Sequence, residues 1–308
     1  MRAMNRLRAP LCRVLLATVL CLPLIASALD VALVMSQRGG SAQAFADAFT
    51  TAALASGHRV TRVEKVGGVL DEAALAGADL VIANGEAALA AVLATSSRPT
   101  LGVMLGRARF DVLNARYPQA ELSAFTLDQP AARQLRLLRA VLPQSQHIGV
   151  LFGDAQAGAK PLQEAAAASG LDLEVATVAS EAELIVRLEE VLRRTDAFVA
   201  IPDALLSQPA SARAILLTSY RFQKPVFAFS RAYVDAGALA AVFTTPQQAA
   251  TDVVNWLNGH PPGRLTLPAP RAPESFEIAV NRQVARALGI VLPSDEELLR
   301  LMAEGDKS

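Results

Sequence analysis

The chain has 308 residues, 52% of them apolar and 19% charged, with 29 basic and 29 acidic side chains in balance. That apolar fraction over that length fills a core without help from metal or disulfides. The even charge leaves no basic footprint of the kind that holds nucleic acid, and no such partner is expected.

The first 28 residues stand apart. MRAMNRLRAPLCR carries four arginines and no acid; VLLATVLCLPLIASA follows, apolar, broken by Pro23 and closing on Ala26-Ser27-Ala28. A basic head, a short apolar run and an A-x-A-like end describe a secretory signal peptide. The run is shorter than the roughly 20 apolar residues that cross a bilayer. Leu20 directly before Cys21 argues against lipid attachment, which normally wants a small residue there. Cleavage after Ala28 is expected, and with it a periplasmic location. Both cysteines, Cys12 and Cys21, leave with the leader, so the mature chain can form no disulfide or thiolate site. Losing the four leader arginines also takes the balanced chain to a net charge of −4.

Beyond the leader, apolar runs of strand length alternate with Ala- and Leu-rich segments of helical period, the pattern of parallel sheets built from βαβ units. DVALVMS (30–36) is a strand, QRGGS a loop and AQAFADAFTTAALASG a helix. Phe45, Ala48, Phe49, Ala52 and Ala53 share one face of that helix. Ser41 is placed to cap its start and Gly57 to end it. HRVTRVEKV, ADLVIA (78–83) and PTLGVML (99–105) supply further strands. ELSAFTL (121–127) reads as a strand, after which Asp128 is expected to cap the helix QPAARQLRLLRAVLP, stopped by Pro143.

The pattern then restarts. HIGVLFG (147–153), a helix over AGAKPLQEAAAASG, LDLEVATV, a helix over EAELIVRLEEVLRR and DAFVAIPD (196–203) follow in turn. A helix around SARAILLTSYRFQ and the strand PVFAFS (225–230) continue the series. ALAAVFT (238–244), the helix PQQAATDVVNWLNG, a Pro-rich crossing, the strand SFEIAVN (275–281) and two short helical segments close the chain. Two strand–helix series of this kind imply two similar α/β lobes.

This order resembles the substrate-binding proteins of ABC transporters that take up aromatic amino acids and related small solutes. The resemblance rests on D128-QPAARQLRLLRAVLP, HIGVLFG, AFVAIPDALL, KPVFAFSRAYVDAGALAAV and SFEIAVNRQVARALGIVLP. The last two carry the most specific likeness: a strand ending in serine before a glycine-led strand, and a closing strand, asparagine and helix. The chain departs from the family at Arg231, where many members carry an acid, and at FTTPQQAA, where many are tyrosine-rich.

The resemblance implies the type I periplasmic binding architecture: two Rossmann-like lobes of parallel sheet flanked by helices, joined by three crossings near 122–128, 243–247 and 271–278. Lobe I is then expected over 29–125 and 244–274. Lobe II is expected over 126–243, with its closing strand and the C-terminal tail over 275–308. It implies a solute-binding component, acting as a monomer, that delivers a small polar molecule such as an amino acid to an inner-membrane ABC permease, with no cofactor. Two other outputs of the same fold stay open, a periplasmic sensor lobe feeding a receptor and a non-binding scaffold.

In doubly wound sheets, ligands sit at the carboxyl ends of the strands. That rule selects Ser36, Gly40, Ser41, Asn84 and Gly85 in the first lobe and Asp154, Asp203, Ser230, Arg231 and Tyr233 in the second. QRGGS, small and just ahead of a helix, offers backbone amides to an anion or is simply a loop that needs glycine. Asn84 either meets the ligand or caps the next helix. Asp203, facing the cleft by the resemblance, would take an ammonium group, and the alternative is again a cap. Arg231 would pair with a carboxylate in a closed crevice. Tyr233 would stack on the ligand or pack beneath it. His58, His147 and His260 lie away from these strand ends, and there is no HExxH, GxSxG or Cys–His pair, so no enzyme is expected.

Overall fold

The computed structural model describes residues 28–35, 37–64, 70–153, 159–203, 205–260 and 265–304; the leader lies outside them. The first sheet contains β1 (Asp30–Met35), β2 (Arg59–Glu64), β3 (Leu80–Asn84), β4 (Thr100–Val103) and β5 (Leu122–Phe125), all parallel, in the order β2-β1-β3-β4-β5. α1 (Gly40–Ala55), a 3-10 turn at Glu72–Leu75, α2 (Glu86–Thr95) and α3 (Arg107–Arg116) make the connections. β3 is buried throughout and β1 nearly so, which is why they read as unbroken apolar runs: strands covered by helices on both faces have no polar side to present.

The second sheet has six strands. β6 (His147–Phe152), β7 (Asp172–Thr177), β8 (Ala197–Val199), β9 (Val226–Ala228) and β10 (Ala240–Phe243) run parallel, and β11 (Glu277–Val280) pairs antiparallel with β10. The order is β11-β10-β9-β8-β6-β7. Its helices are α4 (Ala131–Val141), α5 (Ala159–Ala168), α6 (Glu181–Leu192), α7 (Pro209–Arg221) and α8 (Arg231–Asp235). α9 (Pro246–Asn258), α10 (Arg282–Ala287) and α11 (Asp295–Glu304) complete the chain. The lobes form as the alternation implied, and the chain passes between them three times, after β5, after β10 and before β11.

The middle crossing sends α9 back to the first lobe, where it lies on α1. Ala250, Val253, Val254 and Leu257 join Phe45 and Phe49 in one core. The two phenylalanines are fully buried and stacked, with ring centroids 5.9 Å apart. Burying each contributes about 1.5–3 kcal/mol relative to exposure. Buried His58 staples the same region. Its Nδ1 accepts the Leu29 N–H at 3.3 Å, which leaves Nε2 to donate to Asn258 Oδ1 at 3.0 Å. Among the described residues no helix is long and apolar enough to cross a membrane.

Local readings fail in places where tertiary contacts decide. Ser41 does not cap α1: Gly39 (φ 87°) takes the N-cap place, the helix starts at Gly40, and Ser41 falls inside its first turn. Gly57 does end that helix, in the left-handed region at φ 86°. Asp128 does not cap α4 either. Pro130 occupies that N-cap, and the Asp128 carboxylate accepts the Arg107 N–H at 2.5 Å, capping α3 in the other lobe. Burial pushes the Asp128 carboxyl up from its ordinary value, against the opposing pull of the Arg107 amide. α3 itself goes undetected in sequence because only Phe110 and Leu113 are buried on it. The segment after Ser230 forms a short helix, α8.

Candidate ligand-binding crevice

β1 and β3 are neighbours, with Met35 opposite Asn84, so the chain leaves the first sheet at two adjacent points. The helix that follows each strand is led by glycine. Gly39 (φ 87°, ψ 176°) is the N-cap of α1 and Gly85 (φ 93°, ψ 164°) that of α2, a backbone shape that only glycine adopts freely. Neither cap supplies a side-chain acceptor to its helix. A Cβ built on Gly39, Gly40 or Gly85 would meet nothing within 4 Å, so the space above these helix starts is open. Two helix N-termini whose caps make no side-chain hydrogen bond among the described residues thus follow adjacent strands, where partial positive charge favours an anion.

Asn84 sits beneath them. It does not cap α2. It is 1% exposed, and its Nδ2 donates to Ala42 O at 2.8 Å, which fixes the first turn of α1 to the end of β3. Its Oδ1 is buried without a partner, a condition that costs about 1–3 kcal/mol. Glu86, in the first turn of α2, is turned to Arg109 of α3 at 3.1 Å. Ser36 and Asp154 lie outside the described residues. Gly40 and Ser41 open α1 beside Asn84 and Gly85, so these four come together as one wall.

The polar residues selected in the second lobe are bonded within it. Asp203 Oδ1 accepts the Leu205 and Leu206 N–H groups at 2.8 and 3.1 Å, and its Oδ2 accepts the Gly153 N–H at 3.0 Å. A side chain at Gly153 would strike this carboxylate, since a Cβ there falls 2.4 Å from Oδ1. Ser230 caps α8, accepting the Tyr233 N–H at 3.3 Å. Arg231 pairs with Glu277 at 3.5 Å and lies over the Phe243 ring, 5.4 Å from its centroid. Tyr233 packs inward against Phe229, and burial pushes its hydroxyl up to about 12.

Sequence reasoning missed the residues that join the lobes. Arg271 N–H donates to Ala124 O and Thr126 N–H to Arg271 O, both at 3.0 Å, so the third crossing runs alongside the first. Gln129 Nε2 donates to Thr244 Oγ1, whose own hydroxyl donates to Ser275 O at 2.6 Å, linking all three crossings. Buried Arg133 donates to Gln129 Oε1 and Pro273 O and stacks over Phe276. Asp252 accepts from the backbone of Glu274 and Ser275 and from the Ser275 hydroxyl. The available signal was local: Arg133 and Gln134 stand four residues before Leu137 and Leu138, at positions of α4 that the apolar stripe would claim.

Two α/β lobes joined by three strands of chain, with helix starts facing an open space, define the type I periplasmic binding architecture. Three solved structures share it at identities that speak for fold alone. A conserved domain protein from Vibrio cholerae aligns with 88% of this chain and 98% of its own, at 19% identity and a TM-score of 0.60. An ABC domain from Streptococcus pneumonia in complex with L-Trp gives the same coverage and identity and a TM-score of 0.58. A substrate binding protein with adhesive properties from Clostridium difficile, ligand-free and open, aligns with 87% of this chain and 97% of its own at 17% identity and a TM-score of 0.65. No curated protein sequence matches. The family model for ABC transporter substrate binding proteins matches residues 123–304, and the chain belongs to that family. It is a substrate-binding protein, not an enzyme.

Proposed function

We propose that this protein is exported, loses its first 28 residues, and captures an amino acid between its lobes in the periplasm, as a monomer, for an inner-membrane permease. Lobe I then comprises 29–125 and 244–274, and lobe II 126–243 and 275–308. What supports an amino acid is the pair of uncapped, glycine-led helix starts at α1 and α2, which suit a carboxylate in open space. An aromatic side chain is the first choice, since a structure of the same fold holds L-Trp. Closing the lobes around the solute is a hinge motion, favoured only by contacts that the closed state adds.

The test is a thermal-shift and calorimetric screen of the natural amino acids and their carboxamides on protein purified from the periplasm. At ligand a hundredfold above Kd, stabilisation of about 2.7 kcal/mol is expected for at least one amino acid. Its carboxamide, lacking the anion, should bind at least tenfold more weakly. Absence of any shift, or equal binding of acid and amide, rejects the reading.

A further inference from the structure

We propose that a groove between α7 and α8, which takes in Ser230 and Tyr233 at the end of β9, is a further ligand site on the second lobe for a small amphipathic anion: an aliphatic or aromatic body bearing one carboxylate or sulfonate. The groove has a volume of about 630 Å³, and all the residues lining it lie between Ser207 and Ala236. It therefore belongs to lobe II alone, and the glycine-led helix starts of lobe I take no part in it. Pockets of roughly 300–1,000 Å³ with apolar walls and few polar groups are the usual form of small-molecule sites.

The walls fix the class of ligand. Leu216 and the tilted ring pair Phe229–Tyr233 (centroids 5.4 Å apart) form an apolar surface, and Leu217 stands at it 61% exposed. An exposed leucine beside a concave aromatic surface favours a ligand with an apolar body. Charge enters at one point. Arg213 lines the groove, is exposed, and makes no ion pair among the described residues. Its helix, PASARAILLTSYR, carries no acid that could neutralise it. A guanidinium with no ion pair among the described residues, set beside apolar walls, selects an anionic head over a neutral or cationic one.

A third observation is independent of both. Tyr233 is 7% exposed and its hydroxyl is buried with no hydrogen-bond partner. Buried hydroxyls in folded proteins nearly always have one. That oxygen is itself inaccessible, so it lies behind the groove wall, and an acceptor on a seated ligand reaches it only when the Tyr233 ring turns outward.

The probe is 8-anilinonaphthalene-1-sulfonate, titrated by fluorescence into the full exported protein, with decanoate and decanol as competitors. One probe per chain is expected. Decanoate should displace it at a concentration at least tenfold lower than decanol. Arg213→Ala should weaken the probe at least tenfold without moving the melting temperature, because the side chain is exposed. Ala212→Trp, which fills the groove, should abolish probe binding and leave any amino acid in the crevice bound as before. Probe binding unchanged in both variants, or no saturable binding to the unaltered protein, overturns the proposal. Loss of amino acid binding with the probe site intact would instead strike the crevice reading alone.

Discussion

At the carboxyl ends of β1 and β3 the chain leaves its backbone amides bare; at those of β8 and β9 it covers them with its own side chains. Lobe I opens α1 and α2 with glycines at positive φ and no side-chain cap. Lobe II wraps the Asp203 carboxylate in three backbone N–H groups and seats Ser230 on the amide of Tyr233. Both are carboxyl ends of parallel strands that carry polar residues in sequence, although β1 and β3 flank the point where the strand order reverses and β8 and β9 do not. The difference teaches that a polar residue at a strand end is available to a ligand only if the local backbone has not already taken it. Glycine, offering no acceptor, leaves the amides free.

The contrast can be broken most sharply at Asp203. Replacing it with alanine strands three partly buried donors, and a loss of about 3 kcal/mol in urea unfolding is expected. Amino acid affinity should be little altered if the protein is kept folded. A loss under about 0.5 kcal/mol together with weakened binding would return Asp203 to the crevice. Gly85→Ala sharpens the other side. An L-residue at φ 93°, ψ 164° costs about 2 kcal/mol of stability. Its methyl group would also stand in the open space over the α2 amides and lower ligand affinity at least tenfold by calorimetry. Gly77→Ala, also in open space but at an ordinary φ, is the control and should alter neither measurement. The smallest effect is expected at Arg231. Its ion pair with Glu277 joins two well-exposed side chains, so Arg231→Ala should shift stability by less than about 0.5 kcal/mol, and less still in high salt. A larger loss of amino acid affinity would place the guanidinium inside the closed crevice.

Much of the fold was readable because strand and helix signals are carried by neighbours in the chain. The six-residue run DVALVM and the Phe45–Phe49 face announce β1 and α1 with no knowledge of what covers them. α3 was not readable, since two buried side chains in ten make no stripe. The candidate site divided in the same way. That strand ends such as Asn84-Gly85 and Ser230 are candidates for a crevice follows from the alternation of elements. Which of them bonds inward does not, because Asp203 finds Gly153 fifty residues away and Asn84 finds Ala42 forty-two away.

By itself, then, the order of residues determined an α/β chain with two lobes, through period, composition and the likeness of its closing segments. Only the tertiary structure decided that Asp128 caps the opposite lobe, that Arg133 and Asp252 tie the crossings together, and that lobe I keeps its amides open. The physical reason is that hydrogen bonds are satisfied by whatever group is near in space. Nearness across lobes is set by the packed helices and sheets and leaves no periodic trace in the chain.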